Sequence, residues 1–167
     1  MLNEMIYTAK SKNRTAKSVL LGLLGSSILL IIAANIAKML TGIIWIGAFI
    51  FITATIYVYN RYVGAEYHYA ITTDGGRPSF TVGMRVGKTA RTMARLDLNS
   101  ITEVRKMTGK EYRLHKCEKG VMKYPYFPTM FSDEVYLVSV RSEYEQADIF
   151  IEADDAFTSA LKSYIVE

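Results

Sequence analysis

Two long runs without a charged residue dominate the first third of the chain, and a period-two alternation governs most of the rest. Ser18–Ala37 (SVLLGLLGSSILLIIAANIA) and Thr41–Asn60 (TGIIWIGAFIFITATIYVYN) are separated only by Lys38, Met39 and Leu40. Each run is about 20 residues, the length an α-helix needs to cross about 30 Å of hydrocarbon. The pattern predicts a transmembrane α-hairpin over residues 18–60. It follows a basic cytoplasmic segment, 1–17, and precedes a domain over 61–167.

The positions after the hairpin alternate. Tyr67, Tyr69 and Ile71 alternate with Glu66, His68 and Ala70 in a first strand. Asp74-Gly75-Gly76 is a turn signal, and Ser79–Val86 reads as the second strand. Gly87-Lys88 turns the chain into Thr89–Leu98, and Ile101–Met107 follows as a fourth strand. Thr108-Gly109-Lys110 is a further turn, with Glu111–Cys117 expected as the fifth strand. Tyr124–Phe131 is a loop punctuated by Pro125 and Pro128, before strands at Glu134–Arg141 and Ala147–Ile151. The period then changes. Asp154 or Asp155 can cap a helix whose one face carries Phe157, Leu161 and Tyr164, with Ala160 and Ile165 beside them. The fold class expected is α+β: the membrane hairpin, then an antiparallel barrel or sandwich of about seven strands, closed by a C-terminal helix.

Composition refines this picture. The mean hydropathy of +0.12 averages a very apolar first third with an ordinary polar remainder. The domain has about 105 residues, enough for a core without covalent staples. The single cysteine, Cys117, excludes an intrachain disulfide. Lys10, Lys12, Arg14 and Lys17 precede the first run and Arg61 follows the second, while only Lys38 lies in the turn. That bias places both termini in the cytoplasm of a multi-pass protein of the inner or plasma membrane. A cleaved leader is the weaker reading. The first run exceeds a signal-peptide core, and Asn35 occupies the −3 position for cleavage after Ala37. Neither run contains Asp, Glu, Arg or His, which argues against a transporter or proton relay. Gly22-xxx-Ser26 and Ala33-xxx-Ala37 allow close helix approach, either within the hairpin or between copies. Trp45 is expected to face lipid or pack between the helices.

The strand–helix order resembles the bacterial pleckstrin-homology-like domains that follow a transmembrane hairpin. The likeness is carried by Glu66–Thr72, by Leu96–Val104, by Val135–Val140, and by Ile149–Phe157 with Ala160 and Leu161. It is a pattern over about 100 residues. It implies a PH-like barrel and brings no catalytic motif, cofactor or fixed ligand residue.

The residues themselves offer little chemistry. Gly83-Met84-Arg85-Val86-Gly87-Lys88-Thr89 resembles a phosphate-binding loop, but it has three residues between the glycines instead of four, and it lies between strands. His115 and Cys117 would share a strand face, yet His68 is the only other histidine and there is no second cysteine, so a metal site is not expected. No serine- or cysteine-nucleophile pattern occurs, and no enzymatic activity is expected. The net charge of +4 owes much to the basic tail, and no nucleic-acid motif accompanies it.

Charge is distributed unevenly. Lys and Arg outnumber acids between Arg77 and Lys123, and acids dominate from Tyr124 onward. Either the basic and acidic strands pair across the domain surface, or Arg77, Arg85, Lys88, Arg91 and Arg95 form a face toward anionic headgroups. Tyr124, Tyr126, Phe127 and Phe131 form an aromatic loop that either closes over the barrel mouth as core or contacts a partner or the membrane. The function expected is a membrane-anchored, non-enzymatic scaffold. Its expected partner is a protein, a second copy of the chain, or anionic lipid. The alternative is a small accessory subunit whose hairpin packs with other spans.

Overall fold

The computed structural model describes residues 5–10, 14–36, 41–74, 77–141 and 146–165. They form two compact units: residues 11–65, and residues 1–10 with 66–167. The expected turns at Lys38–Leu40 and Gly75-Gly76 lie outside the described residues, as does Ala37.

The first unit is a helical hairpin. α1 spans Arg14–Ile36 and α2 spans Thr41–Val58. At 1.5 Å per residue they are about 35 and 27 Å long. Both are long and apolar enough to cross a membrane. The buried positions are mostly small: Ala16, Ser27 and Ala34 on α1, and Ala48 and Thr55, with Val58 at the end, on α2. Leu21, Ile28, Leu29, Ile32, Ile46, Phe49 and Ile50 point outward, and so does Trp45. A water-soluble hairpin would bury the large side chains and expose the small ones; this one does the reverse. Gly22, expected at the helix contact, has open space around it, and Ser27 and Ala34 occupy the seam instead. Backbone carbonyls one turn back satisfy the polar side chains: Ser27 donates to Leu23 at 2.7 Å and Thr55 to Phe51 at 2.8 Å. α2 ends in a widened π-helical turn, Tyr59–Val63, where Gly64 N–H donates to the Tyr59 carbonyl at 2.7 Å.

The second unit is two four-stranded sheets that do not close into a barrel. The strands are β1 (Met5–Lys10), β2 (Ala65–Asp74), β3 (Arg77–Val86) and β4 (Thr89–Asp97) in one sheet. The other contains β5 (Ile101–Thr108), β6 (Met122–Pro125), β7 (Glu134–Arg141) and β8 (Gln146–Ile151). The strand orders are β1-β2-β3-β4 and β5-β7-β8-β6. β1 is a strand where the sequence suggested only a basic tail. Its pattern is short, and the strand it pairs with lies beyond both helices, so no hairpin signal flanks it. The pairing is antiparallel except for β6, which runs parallel to β8 and whose last two residues, Tyr124 and Pro125, fall in the stretch expected as loop.

The segment expected as a fifth strand is instead helix α3, Gly109–Cys117. Thr108 and Glu111 form a capping box. The Thr108 N–H donates to the Glu111 carboxylate at 2.7 Å, and Thr108 Oγ1 accepts from Glu111 N–H at 3.3 Å. Tyr112 and His115, three apart, then face the core together. A Cβ at Gly109 would collide with the Ser132 carbonyl, which is why glycine opens this helix.

The C-terminal helix α4 runs Asp155–Lys162, with Asp154 accepting from Phe157 N–H at 2.7 Å. Phe157 and Leu161 are fully buried. The Phe157 ring contacts Tyr7, Tyr69 and Phe80 at centroid separations of 6.1, 6.2 and 6.3 Å. A second cluster, Met107, Phe127, Val135, Leu137 and Phe150, packs under Tyr112 of α3.

Candidate functional site

The end of the first sheet where the chain leaves for the helices gathers several of the candidate residues. β1 and β2 pair so that Lys10 stands opposite Glu66. The whole helical hairpin is therefore inserted between two neighbouring, paired strands. β3 runs back toward the same end. Thr72 Oγ1 lies 3.1 Å from Ser79 Oγ, and Arg85 Nη2 lies 3.5 Å from Glu66 Oε2. Val86 and Thr89 then pair to close a two-residue turn. Gly87 takes φ +59° there, a conformation open to glycine at little cost, and Lys88 stands at the tip.

Of the five basic candidates, Arg85, Lys88 and Arg91 share this end. Arg91 pairs with Met84 and Arg85 with Ala90, which puts the two guanidinium-bearing positions on opposite pleat sides. Arg95 sits further along the ladder opposite Thr81, beyond a bulge at Val82/Gly83. Arg77 begins β3 at the far end, about 30 Å from Val86 at the usual rise per residue. The five residues thus surround and trail away from a strand end.

The aromatic loop divides too. Phe127 is buried in the second cluster, while Tyr124 and Tyr126 are half-buried and stack on each other at 5.9 Å. The Tyr126 carbonyl accepts from Tyr69 O–H at 2.6 Å, and its N–H donates to the Phe150 carbonyl at 2.9 Å. Phe131 is 69% exposed, in the left-handed region at φ +58°. One stretch therefore supplies both the core closure and the outward ring.

A family model described as bacterial PH-like domain (DUF6106) matches residues 3–167. The chain belongs to this family. The match begins ahead of β1 and runs through both helices, so the inserted hairpin falls within the PH-like unit that the family describes. No curated protein and no solved structure matches the chain at a significant level.

The PH-like domain also holds a buried polar chain that sequence reasoning missed. Asp148, 4% exposed on β8, accepts from Ser139 O–H at 2.8 Å and lies 2.7 Å from His115 Nε2. The other ring nitrogen of His115 is 2.7 Å from Glu118 Oε2. Lys123 closes the assembly by donating to the carbonyls of His115 (2.6 Å) and Glu118. Serine, histidine and acid meet here, but the carboxylate stands between the hydroxyl and the imidazole. A nucleophilic serine needs the imidazole on its own oxygen. The arrangement fastens α3 to β7 and β8 and leaves the serine unactivated. It is invisible in sequence because the pattern there predicts a strand for His115, and Asp148 comes within reach only through the tertiary fold. Cys117 is exposed at the end of α3. Among the described residues no three His, Cys, Asp or Glu side chains cluster as metal ligands. Elsewhere, a hydrogen bond to the Asp155 carboxylate raises the Tyr136 phenol above its ordinary value. Hydrogen bonds from Thr108 hold the Glu111 carboxyl below its own.

Proposed function

We propose that this PH-like chain is a non-enzymatic, membrane-anchored module. It holds its domain at the cytoplasmic face as a scaffold for a partner or for the lipid surface. The observation that carries this reading is the pairing of Lys10 with Glu66. The anchor is joined to the sheet at two adjacent points, one on each strand of a pair. Outward-facing apolar side chains on both helices support the anchoring. Lys12, Arg14, Lys17 and Arg61 at the helix ends support the cytoplasmic side.

Cys117 provides the test, because it is the single cysteine and is exposed. A membrane-impermeant maleimide should leave it unmodified in intact spheroplasts and modify it after permeabilisation. Modification before permeabilisation would overturn the cytoplasmic placement. Extraction of the chain by carbonate would overturn the anchoring.

A second reading, an accessory subunit of a membrane complex, draws on α2. Phe49, Ile50, Thr53, Ala54 and Tyr57 line an open apolar recess of about 450 Å³ on that helix. Photocrosslinking from Ile50 in native membranes would capture a partner span. Reaction with lipid alone removes this reading.

A further inference from the structure

Helix α3 turns one side into the domain. Tyr112 meets Phe127 and Phe150 edge-on, at ring separations of 5.4 and 4.9 Å, and His115 is bonded to Asp148. With these two turned inward, Lys110, Arg113, Leu114 and Cys117 fall on the opposite side, at the i, i+3, i+4, i+7 spacing of a single helix face. All four are exposed, Leu114 to 72%. Lys116 flanks this face and Lys119 follows it, both exposed. The helix is held along its length. The capping box fixes its first turn, the His115–Asp148 bond its middle, and Lys123 its last carbonyls. The outward face is a fixed platform.

Charge on this platform is one-sided. The two acids of the segment are engaged, Glu111 with Thr108 and Glu118 with His115. Lys110, Arg113, Lys116 and Lys119 form no ion pair among the described residues. Elsewhere in the domain, Glu66, Glu103 and Glu134 are paired with Arg85, Arg105 and Lys106, and Glu152 accepts from Thr129. Asp154 and Asp155 hold Phe157 N–H and the Tyr136 hydroxyl. A second copy of the chain therefore has few uncommitted carboxylates to set against this face, and the complement comes from another molecule. A lipid surface suits it less. Helices that lie among headgroups insert a wide apolar face, whereas α3 spends its aromatic side on the core and turns only Leu114 and Cys117 outward. One leucine ringed by cations fits a protein pocket, with an apolar anchor inside a charged rim.

We propose that the outer face of α3, with Leu114 as anchor and Lys110, Arg113 and Lys116 around it, docks an acidic segment of a second protein that carries carboxylates on either side of an apolar pocket or side chain. The inference deepens the scaffold reading above, and rests on it, by naming the surface and the chemistry of the partner. Burial of Leu114 supplies about tenfold or more in affinity. Each exposed ion pair adds about 1.4- to 5-fold.

The test uses the full chain in phosphatidylcholine nanodiscs. A displayed random-peptide library is selected on these discs, with counter-selection on discs of the Lys110→Glu, Arg113→Glu, Leu114→Ser variant. Enriched peptides should place Asp or Glu around a large apolar residue. As synthetic peptides they should shield Cys117 from maleimide and bind more weakly at high salt. Leu114→Ser alone should lower their affinity about tenfold, and Lys110→Glu with Arg113→Glu about tenfold. Exchanging the peptide's acids for lysines should restore binding to the charge-reversed chain, which a misfolded variant could not do. Enrichment of neutral or basic peptides, no enrichment over the variant, or equal binding by the variants overturns the docking face. So does shielding of Cys117 by phosphatidylglycerol discs without peptide, which would make lipid the occupant, or by added unlabelled chain, which would make it a second copy. The spheroplast labelling described above judges the cytoplasmic placement separately, so either claim can fail while the other stands.

Discussion

Replacing Tyr69 by phenylalanine removes a single hydroxyl from the place where the two sheets are joined. Tyr69 lies on β2 and is fully buried. Its hydroxyl donates to the Tyr126 carbonyl at 2.6 Å, beyond β6, and accepts from Glu152 N–H at 3.3 Å, beyond β8. The ring of Tyr69→Phe keeps its stacking on Tyr7, at 6.2 Å and 7° between planes, so apolar burial is unchanged. What changes is polar satisfaction: a carbonyl and an amide that water cannot easily reach lose their partner. The long second bond contributes little, and the first sets the scale. Leaving one buried polar group unpaired costs about 1–3 kcal/mol. The assay is hydrogen exchange of the slowest amides of β7, Val135–Val140, in the full chain held in nanodiscs. Their opening should become about 5- to 150-fold more frequent. A change below about twofold would refute the claim that this hydroxyl stitches the sheets. A loss above about 4 kcal/mol would show that packing had collapsed as well, since one unpaired polar group does not reach that range.

Phe157→Ala empties the space among Tyr7, Tyr69 and Phe80, and should cost about 3–5 kcal/mol in the same exchange measurement; a loss below 1 kcal/mol would mean that α4 does not hold the first sheet. Gly109→Ala forces a methyl against the Ser132 carbonyl and strains the Gly109 N–H bond to Asp133, 2.7 Å long. It should destabilise by about 1–3 kcal/mol, with exchange rising first in α3. The Tyr136 phenol is raised in the folded state, so its contribution is complete below the unfolded value near 10 and is lost as pH rises through the folded value. Alkaline unfolding of Tyr136→Phe should therefore show a weaker pH dependence above pH 10, and an unchanged slope would sink that assignment.

Much of the architecture could be read along the chain because its signals are local. The two uncharged runs announce the hairpin, alternation marks β2, β3 and β4, a run of Val, Tyr and Leu marks β7, and Asp154 followed by Phe157 and Leu161 announces α4. Apolar spacing alone does not distinguish α3 from a strand; its signal is the capping chemistry of Thr108 and Glu111. Thr108-Gly109-Lys110-Glu111 reads as a turn until the Thr–Glu reciprocity is noticed. β1 escaped because its partner is separated from it by both helices, and no rule based on neighbouring residues spans that gap. The basic residues were legible as charges, but their grouping was not. Strict period two would set Arg91 and Arg95 on one face, and the bulge at Val82/Gly83 changes parity between them. The Ser139–Asp148–His115–Glu118 chain depends on tertiary placement alone.

The insertion of both helices between β1 and β2 also orders events during synthesis. β1 leaves the ribosome first and has no partner until residues 11–65 have followed it. At about 5–20 residues per second, that is a wait of several seconds. In that interval both apolar helices emerge, and only then does β2 reach the strand already waiting. Formation of the helical hairpin thus becomes a step in completing the first sheet. A chain whose helices fail to pair keeps the halves of one strand pair apart, and such a species is a ready target for proteolysis.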